Sequence, residues 1–345
     1  MALIRFFKPT LRRKDMDAVL QTMVDEKIGP GERRKDFLRL FCQYVNAKDG
    51  SCLRSYIDAL EIALSSFSLE KGSKLGVSVL SPAIYRVVAE RLGLEIVMMD
   101  IDPLTGCISM DAVNKAMEDG VNTFLVHEPV CQLPHGLEGI KELGVNVIED
   151  ITESIGSSFG ESKAGCIGSV IVCGLEEDGI ISTGGGAIVV SPDNEKAEVI
   201  KGLARATSPY TELADMNAAL GIIQLINLPD LIKRRSEIFR MYQQALMKTN
   251  NKLFGEKNID FKSNGFVFPV VVNGRPDEII EFAQKYNVSC KRSFTKSIGI
   301  RYADRIDLFP GAVDALSRGL SFPLYPFLQP KDIESIVKVI GHLPG

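Results

Sequence analysis

The sequence predicts an α/β fold, in which a large domain with a mostly parallel sheet is followed by a small α+β domain. Short apolar runs alternate with helical patterns through the first two thirds of the chain, and the connections between them are short. Beyond residue 248 the order of the elements changes, which indicates a second domain. We therefore expect a large domain at 1–248, including a connecting helix at 212–248, and a small domain at 249–345.

The elements follow from apolar periodicity and from the residues that begin and end helices. Ser109 is the residue type preferred at a helix N-cap, and Gly93 the type that ends a helix. Residues 182–186 precede a strand without a helix after it, so they predict a tight bend and not a phosphate loop. The predicted strands are 75–80, 94–99, 121–127, 145–148, 169–173, 187–190, 266–272 and 288–290, and the predicted helices are 83–92, 109–117, 137–143, 230–248, 276–286 and 331–340.

The composition excludes several classes of protein. Forty Lys and Arg against 44 Asp and Glu give a net charge of −4, which offers no general support for nucleic-acid binding. No apolar run reaches the roughly 20 residues that a membrane span needs, and the N-terminus does not resemble a signal peptide. Seven cysteines without a CxxC pair, and only three histidines, predict reduced thiols in a cytoplasmic protein without a metal site.

Polar residues at strand ends are the first candidates for a site. Glu149 and Asp150 end a predicted parallel strand, where carboxylates are well placed to meet a ligand. The alternative is that Asp150 only braces the adjoining turn. His127 also ends a strand, and we expect a histidine with satisfied hydrogen bonds there. Cys166 and Cys173 are expected to be buried apolar thiols.

Several stretches, in order, resemble the DegT/DnrJ/StrS family of pyridoxal-phosphate-dependent aminotransferases, which act on nucleotide-linked keto-sugars. The resemblance implies a dimeric fold of the aspartate-aminotransferase type (PLP-transferase type I). It runs nearly from end to end of the chain. The stretches are Gly29-Pro30, Asp100 to Thr105, 147–157, 165–169, 185–190, 218–225, Arg235, Tyr242 and 320–326.

The resemblance implies a catalytic lysine about eight residues before Gly185-Gly186, and Asp178 stands at that position. No lysine occurs between Lys163 and Lys196, so a small shift of register does not restore one. A carboxylate cannot form the Schiff base on which this chemistry depends. Some relatives carry a histidine here and act as sugar dehydratases, but Asp178 is not a histidine either.

The positions that hold the cofactor's phosphate in the family are also changed. The family's Ser-Gly-Thr loop corresponds to Ser55, Tyr56 and Ile57, of which two are bulky, and Asp58 follows where a dianion should be received. The family serine that reaches the phosphate corresponds to Cys173. We therefore expect pyridoxal phosphate to bind weakly or not at all.

The remaining contacts that the family implies are altered as well, with one exception. Asp150 matches the aspartate that pairs with the pyridinium nitrogen, but Glu153 replaces a glutamine near it. The family's Asn-x-Arg, which reaches into the partner subunit, corresponds to 210–212, and the stacking aromatic falls near Pro82. Such losses at separate sites predict a member of the family without aminotransferase activity.

Two hypotheses follow for the function, and a third remains open. In the first, the chain binds a nucleotide sugar or regulates envelope-polysaccharide synthesis, as a homodimer or as a heterodimer with an active paralogue. In the second, it is an active nucleotide-sugar enzyme with acid–base chemistry through Asp178, Asp150, Glu153 and His127. In the third, Lys163 or Lys201 supplies the missing amine. A cluster of cations in the small domain is expected to be a solvated loop, with a diphosphate contact as the alternative: Lys291, Arg292, Lys296 and Arg301.

Overall fold

The computed structural model describes residues 3–134, 136–255, 257–302 and 304–344. The strands, in chain order, are β1 (Asp49–Leu53), β2 (Lys74–Ser78), β3 (Glu95–Met99), β4 (Thr123–His127), β5 (Asn146–Asp150), β6 (Ser158–Phe159), β7 (Ser162–Lys163), β8 (Val170–Gly174), β9 (Ala187–Ser191), β10 (Lys252–Leu253), β11 (Phe261–Lys262), β12 (Phe268–Val271), β13 (Lys291–Arg292) and β14 (Gly319–Phe322).

The helices alternate with the strands through the first half of the chain, as the sequence predicts. They are α1 (Arg13–Val24), α2 (Glu32–Val45), α3 (Tyr56–Ser65), α4 (Ile84–Leu92), α5 (Met110–Glu118), α6 (Asn194–Ala206), α7 (Asp215–Leu246), α8 (Pro276–Lys285), α9 (Ile298–Tyr302), α10 (Val313–Arg318) and α11 (Pro330–Ile340).

Among the described residues, seven strands form the main sheet in the order β1-β9-β8-β5-β4-β2-β3. Strands β3, β2, β4, β5 and β8 run parallel, whereas β9 is antiparallel to both of its neighbours. The α/β fold with a mostly parallel sheet is therefore confirmed. In the register of the sheet, His127 at the end of β4 lies beside Asp150 at the end of β5. These two strand ends meet at the edge where ligands bind in such sheets.

The main sheet is covered on both faces, and β8 shows how the pleat divides the core. Val170 and Val172 face one side and pack with α3, α4 and α6, whereas Ile171 and Cys173 face the other side and pack with α2 and α7. Successive side chains of a strand point to opposite faces, so an uninterrupted apolar run is what a strand between two helical layers requires.

A second sheet, made of β10, β12, β14 and β13 in that order, is antiparallel throughout. The 32-residue helix α7 joins the two sheets. The Arg235 guanidinium donates to the carbonyls of Gly265 (3.0 Å) and Leu324 (2.6 Å), and the Tyr242 hydroxyl donates to the Pro323 carbonyl (3.2 Å). The matched Arg and Tyr thus fasten the segments that flank the small sheet to α7.

Local predictions succeed where one residue decides the geometry. The Ser109 hydroxyl accepts from the Ala112 N–H at 3.2 Å, and Gly93 ends α4 at φ +71°, a conformation that glycine adopts without strain. The bend at 182–186 is also confirmed, because Gly184, Gly185 and Gly186 all have positive φ. The predicted strand at 288–290 is wrong, since β13 is Lys291–Arg292, and residues 138–143 form a 3-10 helix.

In the described part of the chain, no helix combines the length and the apolar character needed to cross a membrane.

Candidate functional site

A cleft of about 320 Å³ lies between the carboxyl edge of the main sheet and the small sheet. We call it the cleft. The large-domain side contributes His127 and Glu153 together with the more exposed Asp178. The side facing them contributes three cations, Lys291, Arg292 and Lys296. Phe6, Phe266 and Phe294 add aromatic surface to its walls.

The candidate cofactor residue Asp150 is buried beside the cleft and is bonded entirely within the chain. The Tyr56 and Tyr85 hydroxyls both donate to Oδ2, while the Thr152 N–H (3.0 Å) and hydroxyl (2.5 Å) donate to Oδ1. A carboxylate offers about four lone-pair positions, and these four donors fill them. We call these four residues the Asp150 network.

Burial and charge keep the two phenols of the Asp150 network protonated. Burial in the first place, and then the charge of Asp150, raise the pKa values of Tyr56 and Tyr85 well above those of ordinary tyrosines. Both phenols are therefore protonated at neutral pH and donate to the Asp150 side chain. Charge-assisted hydrogen bonds of this kind are the stronger class, so the network fixes the start of α3 against β5.

A side chain of the chain itself caps the backbone N–H groups at the start of α3. The Ser55 hydroxyl accepts from the Asp58 N–H at 3.1 Å, which places Ser55 as the N-cap. Asp58 adds a negative charge in the first turn, where it complements the helix dipole. Ile57 packs against the apolar core. Ser55, Ile57 and Asp58 thus act within the fold, and an incoming phosphate would meet a carboxylate there.

Tyr56 also occupies space at the end of β8. A Cβ added at Gly174 would lie 3.3 Å from the Tyr56 ring. Cys173 precedes that glycine and is buried in the core, where burial raises the pKa of its thiol. Cys173 is thus the buried thiol that the sequence predicts. Cys166 is exposed in a turn, so the prediction that it is buried is wrong.

Asp178, the residue that the resemblance places at the position of the family lysine, lies in the exposed turn after β8. Its side chain borders the cleft. Neither of the alternative lysines is nearby: Lys163 is an exposed residue of β7, and Lys201 on α6 is paired with Asp49 at 2.7 Å. The cleft is therefore without an amine from the large domain among the described residues, and its lysines come from β13 and the loop after it.

Glu153 is a partly buried carboxyl that lines the cleft. Its carboxylate accepts from the Val130 N–H at 2.6 Å. Burial in the first place, together with the charges of Asp150 and Asp178, raises the pKa of Glu153 to about 7 against the opposing effect of that hydrogen bond. Val130 itself has φ +46° and ψ +43°, a strained conformation for a β-branched residue. The loop after β4 thus holds a donor in place for Glu153.

His127 is a candidate that the sequence undervalued. The prediction of a satisfied histidine is wrong for Nδ1, which is buried and has no hydrogen-bond partner among the described residues. The ring meets the Tyr85 ring edge to face, with the centroids 6.3 Å apart. Burial lowers the pKa of His127 to about 4, so the imidazole is neutral at pH 7. A neutral ring at the cleft can accept or donate one hydrogen bond.

Two predicted site residues have structural roles. Glu149 accepts from the N–H groups of Gly165 (2.7 Å), Ile167 (2.8 Å) and Gly168 (2.6 Å), so it holds the loop before β8. This explains the spacing of the 165–169 motif without a ligand. Glu212, at the family's arginine position, forms an ion pair with Arg34 at 3.2 Å.

Tyr85 is the residue of the site that sequence reasoning missed. It lies on the buried face of α4, and an aromatic residue at that spacing is typical of an ordinary core position. Only its hydroxyl reaches Asp150. The described residues contain no group of three or more His, Cys, Asp or Glu placed to hold a metal ion.

The residues at this site do not fit pyridoxal phosphate. A pyridinium nitrogen would need a lone pair of Asp150, and Tyr56, Tyr85 and Thr152 occupy them. The phosphate would meet Asp58 at the start of α3. The aldehyde would meet Asp178 in place of an amine.

Known proteins resemble this chain along nearly its whole length. A family model described as the DegT/DnrJ/EryC1/StrS aminotransferase family matches residues 9–341. The spore coat polysaccharide biosynthesis protein SpsC of Bacillus subtilis is 24% identical, over 96% of this chain and 95% of that protein.

Solved structures agree with the fold. The aminotransferase TlmJ of Streptoalloteichus hindustanus superposes with a TM-score of 0.88 at 22% identity, over 98% of each chain. PseC of Helicobacter pylori, an aminotransferase involved in the biosynthesis of pseudoaminic acid, gives 0.88 at 18% identity over 98% of each chain. The predicted fold of the pyridoxal-phosphate aminotransferases is thereby confirmed.

Proposed function

The chain belongs to the DegT/DnrJ/EryC1/StrS aminotransferase family, and we propose that it binds a sugar nucleotide in the cleft without acting as an aminotransferase. The observation that carries this proposal is the Asp150 network, in which Tyr56, Tyr85 and Thr152 supply the four hydrogen bonds of the carboxylate. The family's relatives in polysaccharide and sugar biosynthesis support a role in the same area of metabolism.

The cleft keeps features that suit such a ligand. Lys291, Arg292 and Lys296 place positive charge along one side, where a diphosphate can be received. Arg292 is already bonded to Asp277 through two hydrogen bonds of 2.9 and 2.7 Å, so it is held in a fixed orientation. The neutral His127 and the Glu153 carboxyl face the same space and offer hydrogen bonds to sugar hydroxyls.

The absence of the aminotransferase reaction is tested by adding pyridoxal phosphate, recording a visible spectrum, reducing with borohydride and measuring the intact mass. We expect no Schiff-base band and no added mass for the wild type, because its cleft lacks the family lysine. Asp178→Lys supplies an amine, but the Tyr56 hydroxyl remains hydrogen-bonded to Asp150. We therefore expect a stable adduct only when Tyr56→Gly is combined with it.

Glu177→Lys, at the neighbouring exposed position, is the matched control for a lysine placed in the same turn. If the wild-type protein shows a Schiff-base absorption band, and borohydride reduction converts it to a permanent adduct, the proposal is overturned. The modified lysine would then be located by peptide mapping.

The binding function is tested by calorimetry with uridine, guanosine and thymidine diphosphate sugars. Replacing both Lys291 and Lys296 by alanine is expected to weaken binding by about tenfold, as two charge-assisted contacts are lost. Lys331→Ala on α11 serves as the control. If no sugar nucleotide binds at millimolar concentration, the proposed function fails.

A second candidate is a proton-transfer enzyme that acts on the same class of ligand. Glu153 favours it, because a carboxyl with a pKa of about 7 is suited to give and take protons at neutral pH. Of the four acid–base residues that the sequence predicts, Asp150 is fully bonded, whereas Glu153, His127 and Asp178 reach the cleft. Incubation with sugar nucleotides, followed by NMR, distinguishes turnover from binding. Glu153→Gln should abolish such turnover.

We propose a dimer as the working unit, either of this chain or with an active paralogue. Tyr210, in the loop that reaches the partner subunit in the family, is 83% exposed here. Size-exclusion chromatography with light scattering measures the oligomeric state directly. A monomer at micromolar concentration would refute the homodimer.

A further inference from the structure

A second cavity, about 720 Å³, is a groove between α2, β1 and α6 that shares no lining residue with the cleft. We call it the basic groove. Although the whole chain has a net charge of −4, this groove is lined by six cations and two carboxylates, Asp49 and Glu212. The cations are Arg34, Lys35, Arg39, Lys48, Lys201 and Arg205.

Helical spacing brings these cations together. On α2 the lining residues follow two adjacent rows, Arg34 with Leu38 and Lys35 with Arg39, each pair separated by four residues. On α6 the lining cations Lys201 and Arg205 have the same spacing. Positive charge therefore enters the groove from two helices on either side of the edge strand β1.

Carboxylates of the chain itself already pair with some of the cations in the groove. Asp49 accepts from the Lys201 ammonium at 2.7 Å and from the Gly50 N–H at 2.8 Å. This pairing joins a cation from a helix with a backbone donor on the edge strand. Such a combination of donors is typical of sites that receive oxyanions.

Other donors in the groove are without an anion. Lys48 and Arg205 form no ion pair among the described residues. Arg34, which binds Glu212 through its terminal nitrogen, has its Nε buried without a hydrogen-bond partner in the described structure.

The pairs of Lys35 with Glu32 and of Arg39 with Asp36 are exposed. Exposed pairs contribute little energy and rearrange readily, so these two cations are available to a ligand.

We propose that the basic groove binds a small anion with two or more phosphate groups. Cations on opposite sides favour a ligand with charge at more than one point. The lining contains no aromatic ring, so recognition rests on phosphate and not on a nucleotide base. The volume suits a compound the size of a sugar bisphosphate. This inference is independent of the function proposed for the cleft.

The test is calorimetric titration of the full-length protein with pyrophosphate, with inorganic phosphate and ADP as comparisons. We expect pyrophosphate to bind more tightly than phosphate and about as tightly as ADP, with an affinity that falls as salt rises. The double substitution of Lys48 and Arg205 by alanine should weaken pyrophosphate binding by about tenfold or more. Both side chains are exposed, so folding should be unaffected.

The matched control is Arg13→Ala with Lys331→Ala, which removes one exposed Arg and one exposed Lys elsewhere. The inference is overturned if pyrophosphate does not bind, if the groove variant binds it as the wild type does, or if the control loses as much affinity as the groove variant.

Discussion

The Asp150 network and the cleft beside it differ in whether their polar groups have partners within the chain. In the network, each lone pair of Asp150 meets a donor from Tyr56, Tyr85 or Thr152. In the cleft, the His127 Nδ1 has no partner among the described residues, and the strained Val130 supplies the N–H for Glu153. Polar groups that are already hydrogen-bonded within the chain have no capacity left for a ligand. Polar groups without such a partner can still bind one.

The largest effect should come from removing the carboxylate at the centre of the network. Asp150→Ala leaves the Tyr56 and Tyr85 phenols buried without an acceptor. We expect a loss of about 3 kcal/mol or more in the free energy of unfolding, since each unsatisfied group costs about 1–3 kcal/mol. Urea denaturation measures the loss.

Asp178→Ala is the matched control, with the same side chain removed from the exposed turn. It should change stability by less than about 0.5 kcal/mol. Equal effects at the two positions would contradict the contrast between network and cleft.

Glu153 should make stability depend on pH. Its folded pKa, about 7, is raised above the ordinary 4.5, so the folded state holds a proton that the unfolded state releases. The free energy of unfolding should therefore fall as pH rises from about 4.5 to about 7, with a contribution of about 3 kcal/mol from this group.

His127 acts in the opposite direction. Its pKa is lowered from 6.5 to about 4, so it contributes a gain in stability as pH rises through that range. For this reason Glu153 is isolated by comparing the wild type with Glu153→Gln, which keeps an acceptor for the Val130 N–H. If the two pH profiles are parallel, the assignment to Glu153 is wrong.

Removing either phenol of the network should have a smaller effect on stability. Tyr85→Phe and Tyr56→Phe each remove one charge-assisted hydrogen bond and should cost about 1.5–3 kcal/mol. Phe282→Leu, on α8 and partly buried against the core of the small domain, controls for an aromatic change away from the network. A phenol whose loss has no effect on urea denaturation is not a member of the network.

The smallest expected change in stability is at the cations of the cleft. Lys296→Ala should alter the free energy of unfolding by less than about 0.5 kcal/mol, because the side chain is exposed. It should nevertheless lower the affinity for a sugar nucleotide in calorimetry. A variant with lower stability and normal affinity would place Lys296 in the fold and not in the binding surface.

Much of the fold was predictable because its signals are local. Gly93 and Ser109 determine helix ends by their own chemistry, and the apolar runs of β5 and β8 suffice to identify buried strands. Strand β13 was misplaced because its two residues, Lys291 and Arg292, have none of the apolar character that predicts a strand. Its pairing with β14 is a tertiary contact, which periodicity along the chain cannot show.

The site was only half predictable, for a related reason. Asp178 and Tyr56 were found as departures from a family pattern, but what Tyr56 does in its new place depends on Asp150, 94 residues away. Tyr85 gave no signal, since a tyrosine on a buried helix face is usual in a core. His127 was misjudged because the number of hydrogen bonds that a strand-end histidine makes depends on residues of other elements.

The capped first turn of α3 has a consequence for how this protein matures. Where a bound vitamin-derived group completes a helix start, the yield of folded protein depends on the supply of that group through mass action. Here Ser55, Asp58 and the phenol of Tyr56 are part of the chain and are present in every copy. Under the proposed function, which includes no such group, the yield of folded protein should not depend on its supply.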